Sequence, residues 1–236
     1  FIKIESTRLK RYEHFIFSEF DNLCIISEQD RNYIIHAENL KIAIIRNGVD
    51  QTYFSPIEPA KKEYELLFTG NMSYPPNIDC AEFLVNEVLP LVWDRKPNCT
   101  LAIAGSTPSQ KVRSLASKRV IVTGWVDDLR KTYASAKLFV APMRIGSGLQ
   151  NKLLEAMAMK IPCITSPLAN NALKATHGEN ILIADRPEEL AEKITYLLDN
   201  SSEADKIAGN GLDFISRNYN WESSTTQLEA LFLASK

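Results

Sequence analysis

Eight short runs of β-branched and other apolar residues alternate with segments of helical period, and this alternation constrains the fold more than any other feature. Several runs are apolar almost throughout, which is typical of strands covered on both faces of a parallel sheet. In the segment 80–93, for example, Ala81, Leu84, Val88 and Leu91 share one helical stripe. The pattern predicts an α/β fold with a doubly wound, Rossmann-like parallel sheet. The predicted strands are residues 23–27, 42–45, 65–69, 100–104, 120–123, 138–141, 161–165 and 181–184.

A glycine directly follows three of the predicted strands, at Gly70, Gly105 and Gly124. Glycine at that place allows a sharp exit from the strand and a close approach of a ligand to the backbone. A single glycine after a strand is ordinary turn chemistry. Three at corresponding places favour a ligand site at the carboxyl edge of the sheet.

Composition divides the chain into a short first segment, a linker and a larger second part. Residues 1–45 hold two helix and two strand candidates, which is too little for a domain of its own. The polar stretch 46–62 is typical of a linker. Residues 63–220 contain six predicted strands, enough for a complete sheet, and 221–236 contain a final helix candidate over Trp221–Leu233. The chain begins with Phe rather than Met, which favours a fragment of a longer protein.

Charge and cysteine spacing argue against several classes of function. The 27 Lys and Arg nearly balance the 29 Asp and Glu, so the net charge of −2 gives no global attraction for nucleic acid or an anionic membrane. The four cysteines lack a Cys-x-x-Cys pair and the three histidines lack ligand spacing, so we predict no metal site and buried, reduced thiols in a cytoplasmic protein. No apolar run approaches the ~20 residues that span a bilayer.

One stretch, residues 141–158, carries the candidate chemistry. A predicted buried strand leads into a loop that contains Arg144, Gly146 and Gly148, and a helix is predicted to begin near Leu149. Backbone N–H groups at such a helix start form an anion site, and the two glycines leave room for a phosphate. Arg144 can grip phosphate oxygens from the loop.

Lys152 and Glu155 follow one turn into the predicted helix, three residues apart on one face. A carboxylate behind a phosphate site can accept hydrogen bonds from a ribose diol. The pattern alone leaves another interpretation open, in which Lys152 and Glu155 form a surface ion pair and the glycines a plain loop. It is not a Walker loop, because Gly-Lys-Ser/Thr is missing.

Two other features have simpler interpretations. Asp127 and Asp128 do not form an Asp-x-Asp metal motif and are predicted to cap a helix over residues 129–136. Trp125 is predicted at a cleft edge or in packing, with direct stacking as the alternative.

The stretch resembles the donor-binding motif of retaining glycosyltransferases of the GT-B fold, family four (group 1), which use nucleotide-sugar donors. The form that carries the resemblance is Pro142-Met143-Arg144-x-Gly146-x-Gly148 followed by Lys152-x-x-Glu155-Ala156-Met157-Ala158. Other landmarks follow in the same order. The stretch 46–50 resembles the interdomain hinge, and 68–72 resembles the first glycine loop. The stretch 123–129 resembles the loop against which the base lies, and 219–221 resembles the start of the final helix, which crosses back to the other domain. Residues 1–45 resemble the end of the N-terminal domain. The resemblance covers essentially the whole chain, but only the second half of the expected enzyme.

The resemblance implies transfer of a sugar from a UDP- or GDP-linked donor to an acceptor hydroxyl, with retention and without a metal or other cofactor. The implied catalytic residues are Arg144 and Lys152, which would stabilise the leaving diphosphate, and Glu155, which would hold the ribose. The implied donor-binding residues are Gly70, Asn71, Trp125, Val126, Gly146, Ser147, Gly148, Leu149, Gln150 and Asn151.

Two places depart from the family pattern. The family motif has two glutamates eight positions apart; Glu155 matches the second, but Ser147 occupies the place of the first. The first glycine loop lacks the Arg and Lys that family members often carry for the diphosphate. Arg144 and Lys152 are therefore expected to supply the cationic contacts.

The favoured function is the donor-binding half of a hexosyltransferase in polysaccharide biosynthesis, inactive without its N-terminal domain. Two others stay open: a sugar-nucleotide epimerase of the same fold, and a non-catalytic nucleotide-binding or assembly module. No nucleic-acid partner is expected. Peripheral membrane association of the full enzyme stays open.

Overall fold

The computed structural model describes residues 2–58, 61–146 and 148–234, and these contain two parallel sheets. The first sheet pairs β1 (Cys24–Ile25) with β2 (Ala43–Ile44). The second sheet has six strands, which are β3 (Tyr64–Thr69), β4 (Leu101–Ala104), β5 (Val120–Gly124), β6 (Ala136–Ala141), β7 (Cys163–Thr165) and β8 (Leu182–Ile183). All eight strands predicted from the apolar runs are present, which confirms the predicted parallel α/β fold.

The strands of the larger sheet lie in the order β5-β4-β3-β6-β7-β8, and every pairing is parallel. The chain enters at the centre with β3, proceeds outward to β5, crosses back to β6 and proceeds outward on the other side. This is the doubly wound topology, in which ligands bind beyond the carboxyl ends of the strands where the order reverses. The reversal lies between β3 and β6, so the ends of these two strands mark the expected binding edge.

Helices flank this sheet and connect its strands. The α-helices are α1 (Ile2–Phe17), α2 (Glu28–Tyr33), α3 (Pro75–Phe83), α4 (Leu89–Arg95), α5 (Gln110–Arg113), α6 (Leu129–Ala134), α7 (Asn151–Ala158), α8 (Pro167–Leu173), α9 (Pro187–Asp199), α10 (Ser201–Asn218) and α11 (Trp221–Leu233), with a 3-10 turn at Asn39–Lys41. Covering both faces buries Leu66, Leu67 and Phe68 of β3 completely, which explains the unbroken apolar run at this strand. Within the described ranges, the helices do not combine the length and apolarity needed to cross a membrane.

The helix predicted within residues 80–93 is longer and less regular than its stripe indicates. It runs from α3 through a π-helical turn, Leu84–Val88, into α4. Pro90 lies in the first turn of α4, where it lacks the N–H that a regular helix would bond four residues back, and the widened turn accommodates it. The apolar stripe passes through this turn, so periodicity alone cannot reveal it. The helix predicted over 129–136 ends earlier, at Ala134, because Ala136 already begins β6.

The C-terminal helix α11 forms as predicted and begins against the linker. A Cβ atom on Gly48 would lie 2.5 Å from the backbone nitrogen of Trp221, so the two segments are in backbone contact. Further along the helix, Ser224 Oγ donates to the carbonyl of Arg46 (2.6 Å). The start of the linker and the start of α11 are thus packed together.

The cysteines follow the prediction with one exception. Cys80, Cys99 and Cys163 are buried and free, whereas the free Cys24 is exposed, contrary to the prediction. Cys24 belongs to β1, a strand of only two residues in a two-stranded sheet, and so small a sheet covers few of its own side chains.

Candidate functional site

The loops after β3, β4 and β5 lie side by side at the carboxyl edge of the sheet. The backbone N–H of Gly70 donates to Ala104 (3.1 Å), and that of Gly105 donates to Gly124 (3.0 Å). At Gly105 φ is +141°, and a Cβ atom there would lie 1.8 Å from the carbonyl oxygen of Gly70. Only glycine fits this position, and the close approach brings the first two loops together.

Replacement of Gly105 by alanine should therefore destabilise the fold. Backbone strain and the clash with Gly70 are expected to cost about 2 kcal/mol or more, which corresponds to roughly 4–8 °C in Tm for a chain of this size. Gly209→Ala is the matched control, because Gly209 lies within α10 and an added Cβ meets nothing within 4 Å. Calorimetric melting of both variants tests the prediction, and equal Tm values would contradict it.

A cavity of about 470 Å³ opens between these loops and α7, at the point where the strand order reverses. Its lining contains Tyr53, Thr69, Gly70, Asn71, Asn77, Ala104, Gly105, Ser106, Trp125, Val126, Asp127, Leu129, Asn151, Lys152 and Glu155. Seven predicted site residues are among them: Gly70, Asn71, Trp125, Val126, Asn151, Lys152 and Glu155. A larger cavity, of about 610 Å³, lies at the opposite edge near Ala134 and Lys160, away from the glycine loops.

Lys152 is the cationic residue of this lining. Its Nζ donates to Asn77 Oδ1 (2.5 Å) and lies 4.8 Å from the centre of the Phe68 ring. Burial lowers the pKa of Lys152 to about 8, although Cys80 and Glu155 act in the opposite direction. A desolvated ammonium of this kind interacts strongly with an anionic ligand, which in turn favours its protonated form.

Glu155 lies one turn further along α7, and the protein holds one of its carboxylate oxygens. The hydroxyl of Tyr133 donates to Oε2 (2.8 Å) and is also hydrogen-bonded to Thr69 Oγ1 (2.9 Å). Oε1 has no hydrogen bond to the described protein atoms. Burial raises the pKa of Glu155, whereas the hydrogen bond from Tyr133 and the charge of Lys152 lower it. The arrangement offers one carboxylate oxygen to a hydroxyl-bearing ligand in the cavity.

Asn77 connects the first glycine loop to Lys152, and the sequence analysis did not identify it. Its Nδ2 donates to the carbonyl of Asn71 (2.9 Å), its Oδ1 accepts from Lys152, and it is only 6% exposed. A Cβ atom on Gly70 would lie 2.6 Å from Nδ2, so the glycine makes room for the amide. The double proline at 75–76 was an available signal, because proline there predicts a helix start just after the loop.

Tyr133 was also missed. It is fully buried on α6, and a buried tyrosine hydroxyl normally requires a polar partner. Its place on the apolar face of a short predicted helix was therefore a signal for a polar contact beneath that helix. Tyr133 is not itself part of the lining; the lining residues that were not among the predicted site residues are Tyr53, Thr69, Asn77, Ala104, Gly105, Ser106, Asp127 and Leu129.

Asp127 and Asp128 have different positions and roles. Asp128 caps α6 as predicted, with Oδ1 accepting from the backbone N–H of Arg130 (3.0 Å). Asp127 instead lines the cavity. Trp125 lines the same cavity while 75% exposed, which agrees with the predicted cleft edge.

Arg144 lies outside the cavity lining, contrary to the arrangement expected from the loop. Its guanidinium forms a two-bond pair with Asp79 (2.8 and 3.1 Å), bonds Glu87 (3.2 Å) and lies 4.2 Å over the Phe83 ring. Two carboxylates compensate its charge, and the hydrogen bonds that the guanidinium donates to Asp79 raise the pKa of Arg144. Lys152 alone of the two predicted cations therefore faces the cavity.

The rest of the predicted loop also lies outside the lining, at Gly146, Gly148, Leu149 and Gln150. The helix α7 begins at Asn151, later than predicted, because Gly148 has φ of +85° and Gln150 is extended. A Cβ atom on Gly148 would lie 3.2 Å from Asp30 Oδ2, so this part of the loop approaches α2. Ser147 lies outside the described residues.

Comparison with known families gives a match over the six-stranded sheet and the site at its carboxyl edge. The family described as "Glycosyl transferases group 1" matches residues 63–200, which contain the whole six-stranded sheet. The chain belongs to this family. Apart from Tyr53, the residues that line the cavity all lie within the matched range.

Three curated relatives resemble the chain over much of its length. They are an uncharacterized 44.6 kDa protein in the cps region of Klebsiella pneumoniae (28% identical; 65% of this chain and 42% of the relative), an uncharacterized glycosyltransferase of Methanocaldococcus jannaschii (25%; 98% and 65%) and a glycogen synthase of Mycobacterium tuberculosis (25%; 98% and 58%). The chain spans less than two thirds of the length of each.

Solved GT-B glycosyltransferase structures share the fold. Anabaena HepE in complex with UDP and glucose has a TM-score of 0.78 at 17% identity, over 96% of this chain and 67% of that one. A glycosyltransferase from Rickettsia africae has a TM-score of 0.77 at 16% identity, over 95% and 66%. At this identity the likeness concerns the α/β architecture.

Proposed function

We propose that the chain is the donor-binding half of a retaining, family-four glycosyltransferase that uses a nucleotide-diphospho-sugar. The observation that carries this proposal is the placement of Lys152 and Glu155 together in the cavity at the strand-order reversal. The ammonium suits a diphosphate, and a carboxylate one helical turn away suits a ribose diol. The UDP and glucose bound to HepE support the same donor class.

The chemistry of transfer places negative charge on the leaving diphosphate. As the glycosidic bond breaks, its electron pair stays with the diphosphate oxygen, and a preorganised cation at that oxygen lowers the barrier. Lys152 fills this role, with Asn77 fixing the direction of its Nζ. Arg144 is held by Asp79 and Glu87 and does not contribute in this arrangement.

The base is proposed to lie at the other end of the cavity, against Trp125 and Val126. Tyr53, from the linker, also lines the cavity and offers a second aromatic ring to the base. The guanidinium of Arg130 lies 4.2 Å over one face of the Tyr53 ring and fixes its position. The order along the cavity is then base, ribose at Glu155 and diphosphate at Lys152.

The acceptor hydroxyl and the sugar class depend on the remainder of a longer enzyme. The relatives extend well beyond the aligned part, and we propose that an N-terminal domain completes the cleft. A cps-region protein and a glycogen synthase among the relatives support a hexosyltransferase in polysaccharide formation.

A panel of nucleoside diphosphates tests the donor class. With a matching nucleotide at 100 times its Kd, the free energy of unfolding should rise by about 2.7 kcal/mol, visible as a thermal shift. UDP and GDP are the first probes, with ADP and CDP for comparison. If no nucleotide shifts the melting curve, the donor-binding proposal is wrong.

Replacement of Glu155 by alanine should weaken binding of the preferred nucleoside diphosphate about ten-fold or more. Hydrogen bonds to a carboxylate are worth about 1.5–3 kcal/mol each before solvent competes for them. Pyrophosphate lacks the ribose, so its affinity should change little. Glu229→Ala, at an exposed position on α11, is the control. Equal weakening of both ligands in titration calorimetry would overturn the ribose assignment.

A further inference from the structure

We propose that Tyr133 is a positioning residue for the ligand-binding carboxylate: its hydroxyl holds Oε2 of Glu155 so that Oε1 is presented to the ribose diol. This inference rests on the proposed function. It adds to the site a residue that does not touch the ligand and acts through Glu155.

The hydrogen-bond directions follow from the chemistry of the groups. An ionised carboxylate only accepts, and Glu155 Oε2 at 2.8 Å is both nearer and more negative than the other pure acceptor in reach, the carbonyl oxygen of Lys152 at 3.3 Å. The single hydrogen of the Tyr133 hydroxyl therefore points to Oε2. The hydroxyl oxygen then accepts from Thr69 Oγ1 at 2.9 Å. A chain of two bonds thus leads from the end of β3 through α6 to α7, and both of its bonds join groups at the carboxyl edge of the sheet.

The bond matters because the last torsion of a glutamate side chain has a broad preference. Without a partner on Oε2, the Glu155 carboxylate could rotate and would lose the orientation that a diol requires. The Tyr133 ring itself is fixed by packing, with its centre 5.6 Å from that of Phe139 and 6.3 Å from that of Phe54. Tyr133→Phe therefore removes the hydroxyl while the ring keeps its neighbours.

The same bond influences the ionisation of Glu155. Burial raises the pKa of this carboxyl, and the groups that lower it are Tyr133 from α6 and Lys152 from its own helix. Asp127 is the other acidic residue of the cavity lining. Loss of the hydroxyl removes a stabiliser of the charged form, so the pKa of Glu155 should rise. Because the ribose contact uses the ionised carboxylate, nucleotide affinity should then be lost at a higher pH during acidification.

Titration calorimetry on the 236-residue chain tests this, with UDP, GDP and pyrophosphate from pH 4.5 to 7.5. Tyr133→Phe is expected to weaken binding of the preferred nucleotide about five- to ten-fold and to leave the affinity for pyrophosphate unchanged. It should also move the acid limb, the loss of nucleotide affinity on acidification, to higher pH. Thr69→Val should act in the same direction with a smaller effect. Tyr219→Phe is the matched control, since it removes another buried hydroxyl, bonded to Leu173, outside the cavity lining.

The outcomes separate this inference from the proposal beneath it. If Glu155→Ala binds the nucleotide normally, the ribose assignment fails and the role of Tyr133 fails with it. If Glu155→Ala weakens binding while Tyr133→Phe retains the wild-type affinity and acid limb, the positioning role alone is wrong. If Tyr133→Phe does not fold, Thr69→Val provides the test. Wild-type nucleotide affinity in Thr69→Val would then overturn the positioning role of Tyr133.

Discussion

Lys152→Met is expected to weaken nucleoside diphosphate and pyrophosphate binding alike, by about 100-fold. A charge-assisted bond to a phosphate is worth about 1.5–3 kcal/mol, and each 1.4 kcal/mol is a factor of ten. The effect should lie near the upper end, because the ammonium is partly desolvated and Arg144 is engaged with Asp79 and Glu87. Methionine keeps an unbranched apolar side chain only one atom shorter than that of lysine, and it removes the charge and the hydrogen bonds.

The pH dependence provides a second measurement of the same prediction. Burial lowers the pKa of Lys152 to about 8, so the ammonium form predominates below that pH and is lost above it. Diphosphate affinity should therefore be nearly constant between pH 6.5 and 7.5 and fall steadily above about pH 8. Lys152→Met should bind weakly at every pH and show no such fall.

Lys118→Met, at an exposed position, is the matched control and should bind as the wild type does. Unaltered pyrophosphate binding by Lys152→Met would place the diphosphate elsewhere. In that case the Arg144 loop would be the next candidate, with the Asp79 pair opening on binding.

The fold could be predicted from the sequence because strands that are buried on both faces consist of nearly unbroken runs of apolar residues. Strands β3 and β6 lie at the centre of the sheet, and their apolar runs can be recognised without knowing which strands they pair with. The π-helical turn before α4 could not be predicted in this way. It depends on how the helix accommodates Pro90, and the apolar stripe is the same with or without it.

The site could be predicted where residues close together in sequence share one element, as Lys152 and Glu155 do on α7. The contacts that direct those side chains are distant in sequence: Asn77 lies 75 residues from Lys152, and Tyr133 lies 22 residues from Glu155. Arg144 illustrates the converse. A loop arginine beside glycines suggests a phosphate, but carboxylates 65 and 57 residues away neutralise it. Competition between a ligand and the protein's own groups is decided by tertiary packing.

The largest expected effect is on catalysis: the 236-residue chain should bind the nucleotide sugar and transfer almost none of it. Holding donor and acceptor in one orientation contributes roughly 7–11 kcal/mol to barrier reduction, a factor of at least about 10⁵ in rate.

The residues proposed to contact the donor lie on one wall of the proposed cleft, formed by the glycine loops and α7 together with Tyr53 of the linker. Residues 2–45 add two α-helices and a two-stranded sheet, which we expect to be too little to form an acceptor pocket opposite that wall. Water then reaches the leaving diphosphate, and Lys152 stabilises it less than it would in a closed, low-dielectric site. Binding should survive the loss of the second wall because phosphate and ribose contacts do not depend on it. Calorimetry with UDP and GDP measures binding, and a transfer assay with UDP-glucose and a mixed panel of hydroxyl acceptors measures catalysis. Multiple turnovers by the purified chain would show that one wall suffices and would contradict the half-enzyme proposal.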